Sequence, residues 1–245
     1  MKSKQELLDA YKVIVDHLKS GTQDKNLLAN FEGTEERCVK ALTEMCLTEE
    51  EINKQLEHIL SKVFPINEAS GDKDSDGFST YNRNGMRANG MVTQGPIAIN
   101  SMCPHHLMPV RYEAYVSYIP KDGQVLGLSK LARISKLLGK RPVLHEQLAS
   151  DIADVLCAPE YVEDAYDNNG EYFQKEMPSM FKFKSLRSAG SAVCLVGTHT
   201  CECCRGVEED ARTEVTEMRG NFIRDNGMEG KFYQAVNAIK QAKPF

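Results

Sequence analysis

Cys103-x-x-His106 and, far downstream, Cys201-x-x-Cys204 place soft metal ligands in two short segments of this chain. Thiolate sulfur and imidazole nitrogen together suit Zn²⁺ better than Mg²⁺ or Ca²⁺. Two arrangements are compatible with the spacing. Cys103, His106 and Cys201 would form a three-ligand site with room for a reactive water, whereas adding Cys204, which precedes Arg205-Gly206, would close a structural Cys₃His knuckle. The neighbouring residues favour the open site. His105 adjoins His106, and His199 stands two residues before Cys201, where a strand would set both on one face. Imidazoles that titrate near neutrality can pass protons at a zinc-bound hydroxide, a service that a knuckle does not need.

A second group begins at Gly127-Leu128-Ser129-Lys130-Leu131-Ala132-Arg133, where a strand gives way to a helix. Free N–H groups at a helix start and the side chains of Ser129, Lys130 and Arg133 could converge on a phosphate; the alternative is an ordinary solvated basic helix start. Arg205 adds a cation beside the metal segment. Neither a Gly-x-x-x-x-Gly-Lys-Ser/Thr loop nor a Gly-x-Gly-x-x-Gly turn is present, so a nucleotide would not be held in a P-loop or Rossmann manner. Glu146, in the first turn of a later helix, has two readings. It could complement the helix dipole, or its carboxylate could accept two parallel hydrogen bonds of the kind guanine offers from N1–H and its amine.

The elements that must position these groups follow from periodicity. Helical spacing covers Lys4 to Leu18 and Glu35 to Leu47, and a third helix starts at Thr48, an N-cap with Glu51 three residues on, and runs through Ile52, Leu56, Ile59 and Val63. Residues 1–64 thus read as a helical region. Residues 65–90, rich in Gly, Asp, Ser and Asn, read as a linker or mobile loop. Within it, Asp72-Lys73-Asp74-Ser75-Asp76-Gly77 imitates a calcium loop, but Arg83 occupies the place of the bidentate Glu, leaving a solvated acidic loop. The catalytic domain, 91–245, opens with strands at Pro96 to Met102, Val110 to Ile119 and Gln124 to Leu128, the last two joined as a hairpin by Lys121-Asp122-Gly123. Helices follow at Ser129 to Leu138 and from Pro142, placed at N1, with Leu144, Leu148, Ile152, Val155 and Leu156 on one face. A polar excursion from Pro159 to Ser191 precedes a strand from Ala192 to Thr200.

A net charge of −5 argues against a general nucleic-acid binder and points to a small-molecule partner. The first residues carry no signal-type apolar block and no run is long enough to span a bilayer, so the chain reads as cytosolic and without membrane association. Of eight cysteines, half lie in the two metal-like segments, and a disulfide framework is not expected.

Ser-Met-Cys-Pro-His-His-Leu-Met-Pro, Tyr-Ile-Pro-x₅-Leu-Gly-Leu-Ser-Lys-Leu-Ala-Arg-Ile, Arg-Pro-Val-Leu-His-Glu and His-Thr-Cys-Glu-Cys-Cys-Arg-Gly together resemble, in order, the motifs of GTP cyclohydrolase I. The resemblance covers Met91 to Phe245 and, more loosely, the helix at Gly33 to Val39. It implies an α+β tunnelling fold, an antiparallel sheet with two helices on one face, assembled into a homo-oligomer, typically a decamer, with active sites between subunits. It further implies hydrolysis of GTP to formate and 7,8-dihydroneopterin triphosphate, a pterin that feeds folate, biopterin or deazapurine synthesis. By position, Cys103, His106 and Cys201 would hold Zn²⁺ and His105 and His199 would transfer protons. Glu146 would read guanine, with Ser129, Lys130, Arg133 and Arg205 on the triphosphate. Pro104 replaces a usual Glu, Val196 an acidic residue, and His145, directly before Glu146, a Gln. These departures leave open a scaffold retuned to another purine nucleotide, beside the knuckle that serves only for binding.

Overall fold

Two capping boxes begin the helical part. In the computed structural model, which describes residues 3–65, 90–121, 124–158, 162–166, 172–176, 183–186, 188–203 and 212–242, Ser3 caps α1 (Lys4–Ser20) through a reciprocal exchange with Glu6. Thr48 and Glu51 do the same for α4 (Glu49–Leu60), as the sequence leads one to expect. Between them lie α2 (Lys25–Asn30), too short to show a period, and α3 (Thr34–Met45), which packs against α1. Contacts divide the chain into two compact units, Met1–Leu47 and Thr48–Phe245.

In the second unit α4 buries Ile52, Leu56 and Ile59 and packs against α5 (Ser129–Leu138). It stops short of Val63, which was expected on the same helix. Val63 instead opens strand β1 (Val63–Pro65), in which Phe64, the residue before Pro65, is driven from the α region toward extended backbone, so the helix cannot continue through it. The strands β2 (Val92–Met102), β3 (Pro109–Ile119), β7 (Gly190–His199) and β8 (Thr213–Gly220) form an antiparallel sheet in the order β2-β3-β7-β8. The expected β3–β4 hairpin is not formed: β4 (Gln124–Leu126) pairs with β1, Val63 facing Leu126. Pro120 interrupts the ladder, and the Leu126 N–H donates to the Tyr118 hydroxyl at 2.7 Å rather than to a β3 carbonyl.

Side chains alternate across the sheet. Helices α5 and α6 (His145–Leu156) cover the face carrying Tyr112, Ala114, Val116 and Leu195, where the Ser191 hydroxyl donates to the Ala153 carbonyl at 2.7 Å. Leu148, Ile152, Val155 and Leu156 are fully buried there, but Leu144 is 45% exposed because it caps the helix. Pro142 is not at N1: the Val143 N–H donates to Met102 O, so the segment runs beside the end of β2 before α6 begins. The opposite face, with Tyr115, Ala192 and Cys194, packs against Phe222 of α8 (Asn221–Arg224) and Phe232 and Val236 of α9 (Asn226–Gln241). Burial pushes the Cys194 thiol up to about 11, which marks it as a packing residue. The architecture is α+β, with two helices on one face as expected and the short α8 and the longer α9 on the other.

The excursion contains a hairpin of β5 (Val162–Tyr166) and β6 (Tyr172–Glu176). It returns through Phe183, over whose ring the Arg141 guanidinium lies at 5.1 Å, and Leu186, whose N–H donates to Val155 O. The described cysteines form no disulfide. No helix among the described residues is long and apolar enough to cross a membrane.

Candidate metal centre

The turn joining β2 to β3 folds back on itself. The Cys103 N–H donates to Met108 O and the Leu107 N–H to Cys103 O, both at 2.9 Å, and Leu107 takes the left-handed conformation, φ 54°, that such a turn requires. A branched, non-glycine residue there costs on the order of 1–2 kcal/mol, a strain tolerated where the turn has a task. The turn returns His106 to Cys103, with Sγ and Nδ1 3.7 Å apart. Pro104 sits in this turn, beyond the last ladder pair Met102–Pro109, so it removes no sheet hydrogen bond.

Cys201 arrives from β7, whose register sets His199 against Val110 at the foot of the same turn. It lies on α7 (Thr200–Cys203), not on the strand, so the alternation argument linking it to His199 does not apply. The ligand atoms of Cys103, His106 and Cys201 all lie within 4.8 Å of one another. A zinc tetrahedron with a sulfur arm of about 2.3 Å and a nitrogen arm of about 2.0–2.1 Å has an edge of about 3.6 Å, so the 3.7 Å Cys103–His106 separation fits a shared ion. Cys204, on which the closed alternative depends, and Arg205 lie outside the described residues.

His199 stands beside this cluster, its ring 5.8 Å from that of Tyr112 and 5.5 Å from that of His145. His105 is exposed, at the edge of the His106 ring. His145 opens α6 and is buried, with Nε2 2.9 Å from the Leu195 carbonyl. An acceptor on that side requires the proton on Nε2, which leaves Nδ1 bare in the neutral ring. Glu146 follows in the first turn, exposed, and its charge reaches Tyr112 and His145. Val196 packs toward the α9 side of the sheet, an apolar setting in which an acidic side chain would be costly.

Burial pushes His145 below the usual imidazole range and His199 acts in the same direction, while the Leu195 carbonyl and Glu146 oppose them. Between the ordinary value of 6.5 and the lower folded one, the unfolded chain binds a proton that the folded chain refuses. Stability present above 6.5 is therefore lost as pH falls through that window. Replacing His145 with Gln should flatten the fall of melting temperature on acidification; an unchanged slope would assign it to other groups. Gly197, opposite Tyr112 in the ladder, is equally constrained. A Cβ there would come within 2.6 Å of a Tyr112 ring carbon and 2.9 Å of His145 Cε1. Gly197→Ala should destabilise the fold by about 1–3 kcal/mol in denaturant melts.

Ser129, Lys130 and Arg133 gather at the start of α5, joined by Lys62, a cation that sequence reasoning missed. Burial and the charges of Arg133 and Lys62 lower the Lys130 pKa, the mark of an electropositive spot suited to an anion. This group is not brought to the metal cluster of its own chain. Leu126 bonds to Tyr118, which pairs with Val92 at one end of β2, and Cys103 follows Met102 at the other end. Ten strand residues span roughly 33 Å.

A sheet-based α+β domain that gathers two thiolates and an imidazole, with further imidazoles and a carboxylate nearby, defines a candidate metal-dependent catalytic centre. The family model of GTP cyclohydrolase I matches residues 13–164, a range that includes Cys103, His106, α5 and α6 and stops before Cys201. GTP cyclohydrolase 1 of Thermoanaerobacter pseudethanolicus is 33% identical over 145 residues, 59% of this chain and 63% of that protein. The protein of the same name from Clostridium perfringens is 31% identical over 153 residues, 62% and 68% of the two chains, and that from Bacillus pumilus 35% over 136 residues, 55% and 58%. The chain belongs to the GTP cyclohydrolase I family, although it spans less than two thirds of the length of most of these relatives. A crystal structure of the archaeosine synthase QueF-like in the apo form aligns with 53% of this chain and 93% of its own at 17% identity and a TM-score of 0.34, too low to carry a fold argument.

Proposed function

We propose that this chain is a zinc-dependent GTP cyclohydrolase I, converting GTP and water to formate and 7,8-dihydroneopterin triphosphate. The observation that carries the reading is the convergence of Cys103, His106 and Cys201 next to His199 and His145. Zinc held by Cys103, His106 and Cys201 would lower the pKa of a water toward about 7 and so make it nucleophilic near neutrality. The protein's own residues do the rest. Glu146 accepts from guanine N1–H and the exocyclic amine and so turns C8 toward the cluster, and His105 or His199 delivers a proton to N7 as the imidazole ring of the base opens.

The triphosphate falls to Ser129, Lys130, Arg133 and Arg205. Because the α5 group stands at the far end of the sheet from its own ligand cluster, it serves the metal centre of a neighbouring copy, which supports a homo-oligomer of the tunnelling-fold type, a decamer by resemblance, with shared sites. Incubating the zinc-loaded protein with GTP should yield formate together with a pterin that fluoresces after oxidation. No formate from GTP, but turnover of another purine triphosphate, would favour the retuned scaffold, a reading that the single acceptor offered by His145 Nδ1 motivates.

A further inference from the structure

Tyr112 lies on the central strand β3 and is completely buried, yet its hydroxyl has no hydrogen-bond partner among the described residues. Buried hydroxyls without partners are uncommon in folded proteins. A second such atom adjoins it: Nδ1 of His145, likewise buried and unpartnered among the described residues, on a ring 4.7 Å from that of Tyr112. The Tyr112 ring also meets His199 edge-on at 5.8 Å. Its place exists only because residue 197 across the ladder is glycine, since a Cβ there would overlap two of its ring carbons. Cys103, Glu146 and Cys201 are all close enough for their charges to act on the phenol. The Tyr112 ring is thus flanked by His199, two residues before Cys201, and by His145, directly before Glu146.

We infer that Tyr112 is a substrate-contacting residue whose hydroxyl donates to the edge of the purine base running from the metal centre to Glu146. This inference rests on the reading of the site as one that binds GTP. A guanine with C8 at the metal and its N1–H and amine at Glu146 turns N7 and O6 along the interval between them, and both are acceptors. A phenol supplies the donor they need. His145 Nδ1 accepts and cannot supply it, because the ring proton is committed to the Leu195 carbonyl.

Tyr112→Phe in the zinc-loaded full chain keeps the ring and removes only the hydroxyl. Steady-state kinetics with GTP should show kcat/KM reduced about tenfold or more, the scale of one lost hydrogen bond to substrate. Zinc content per chain should be unchanged and the melting temperature no lower than that of the parent. A variant with the parent's kcat/KM would overturn the inference, and so would one whose lost activity follows lost zinc or a lowered melting temperature, since Tyr112 would then be a packing residue. Failure of the parent protein itself to bind or turn over GTP would instead remove the reading of the site on which the inference stands.

Discussion

Cys201→Ser should strip the metal from the protein and reduce formate release from GTP to background. In an open centre the protein supplies only three ligands, so no spare group compensates for the loss of one. Serine is not deprotonated near neutrality, and a neutral hydroxyl is a poor substitute for a thiolate. If about 10–16 kcal/mol of apparent zinc affinity is shared among the ligands of a site, one thiolate is worth about 3–4 kcal/mol, or roughly two to three orders of magnitude in affinity. Metal content per chain, measured after dialysis, checks this. Cys194→Ser is the control: that thiol lies in the α8–α9 packing cluster, its pKa pushed up to about 11 by burial, and its loss should leave the metal in place. Full metal retention in Cys201→Ser would remove Cys201 from the ligand set.

Glu146→Gln should lower kcat/KM for GTP by about a thousandfold while metal content stays constant. A carboxylate accepts at both oxygens; the amide keeps one acceptor and turns a donor toward a base edge that itself only donates. Sites built on such hydrogen bonds discriminate by up to about 10⁴–10⁵, and replacing one of two bonds should cost a large part of that. Steady-state kinetics with GTP decides the matter. Unaltered constants would leave Glu146 with the other task its position allows, complementing the positive end of α6.

Local signals in the sequence were the ones that survived. Thr48 and Glu51 mark a helix start because both halves of the capping box lie within one turn, and Cys103 and His106 can be paired because a single turn contains them. Non-local features carry no such signature. The three-residue strands β1 and β4 are too short to show a period, and their pairing depends on how Pro65 and Pro120 divert the chain. Helix α9 carries Gly227 and Gly230, which blur its helical pattern, and its partner face on the sheet is set by distant residues. Cys201 was legible as a candidate ligand but not its place on α7, since four residues after a strand have no pattern of their own.

The same limit applies within the site. Tyr112 alternates along β3 like any core residue, and only the fold shows that its hydroxyl lacks a partner among the described residues. Lys62 is one lysine between two elements until the start of α5 is set beside it. The separation of the α5 cations from the ligand cluster is a property of the sheet's length, which spacing along the chain does not reveal. The calcium-like run at 72–77 lies outside the described residues.

X-ray absorption at the zinc edge of the metal-loaded protein bears most directly on the open centre. The account predicts a shell of two sulfurs at about 2.3 Å and two lighter atoms at about 2.0–2.1 Å, His106 nitrogen and a water oxygen. A shell of three sulfurs and one nitrogen, with Cys204 filling the fourth position, would contradict it.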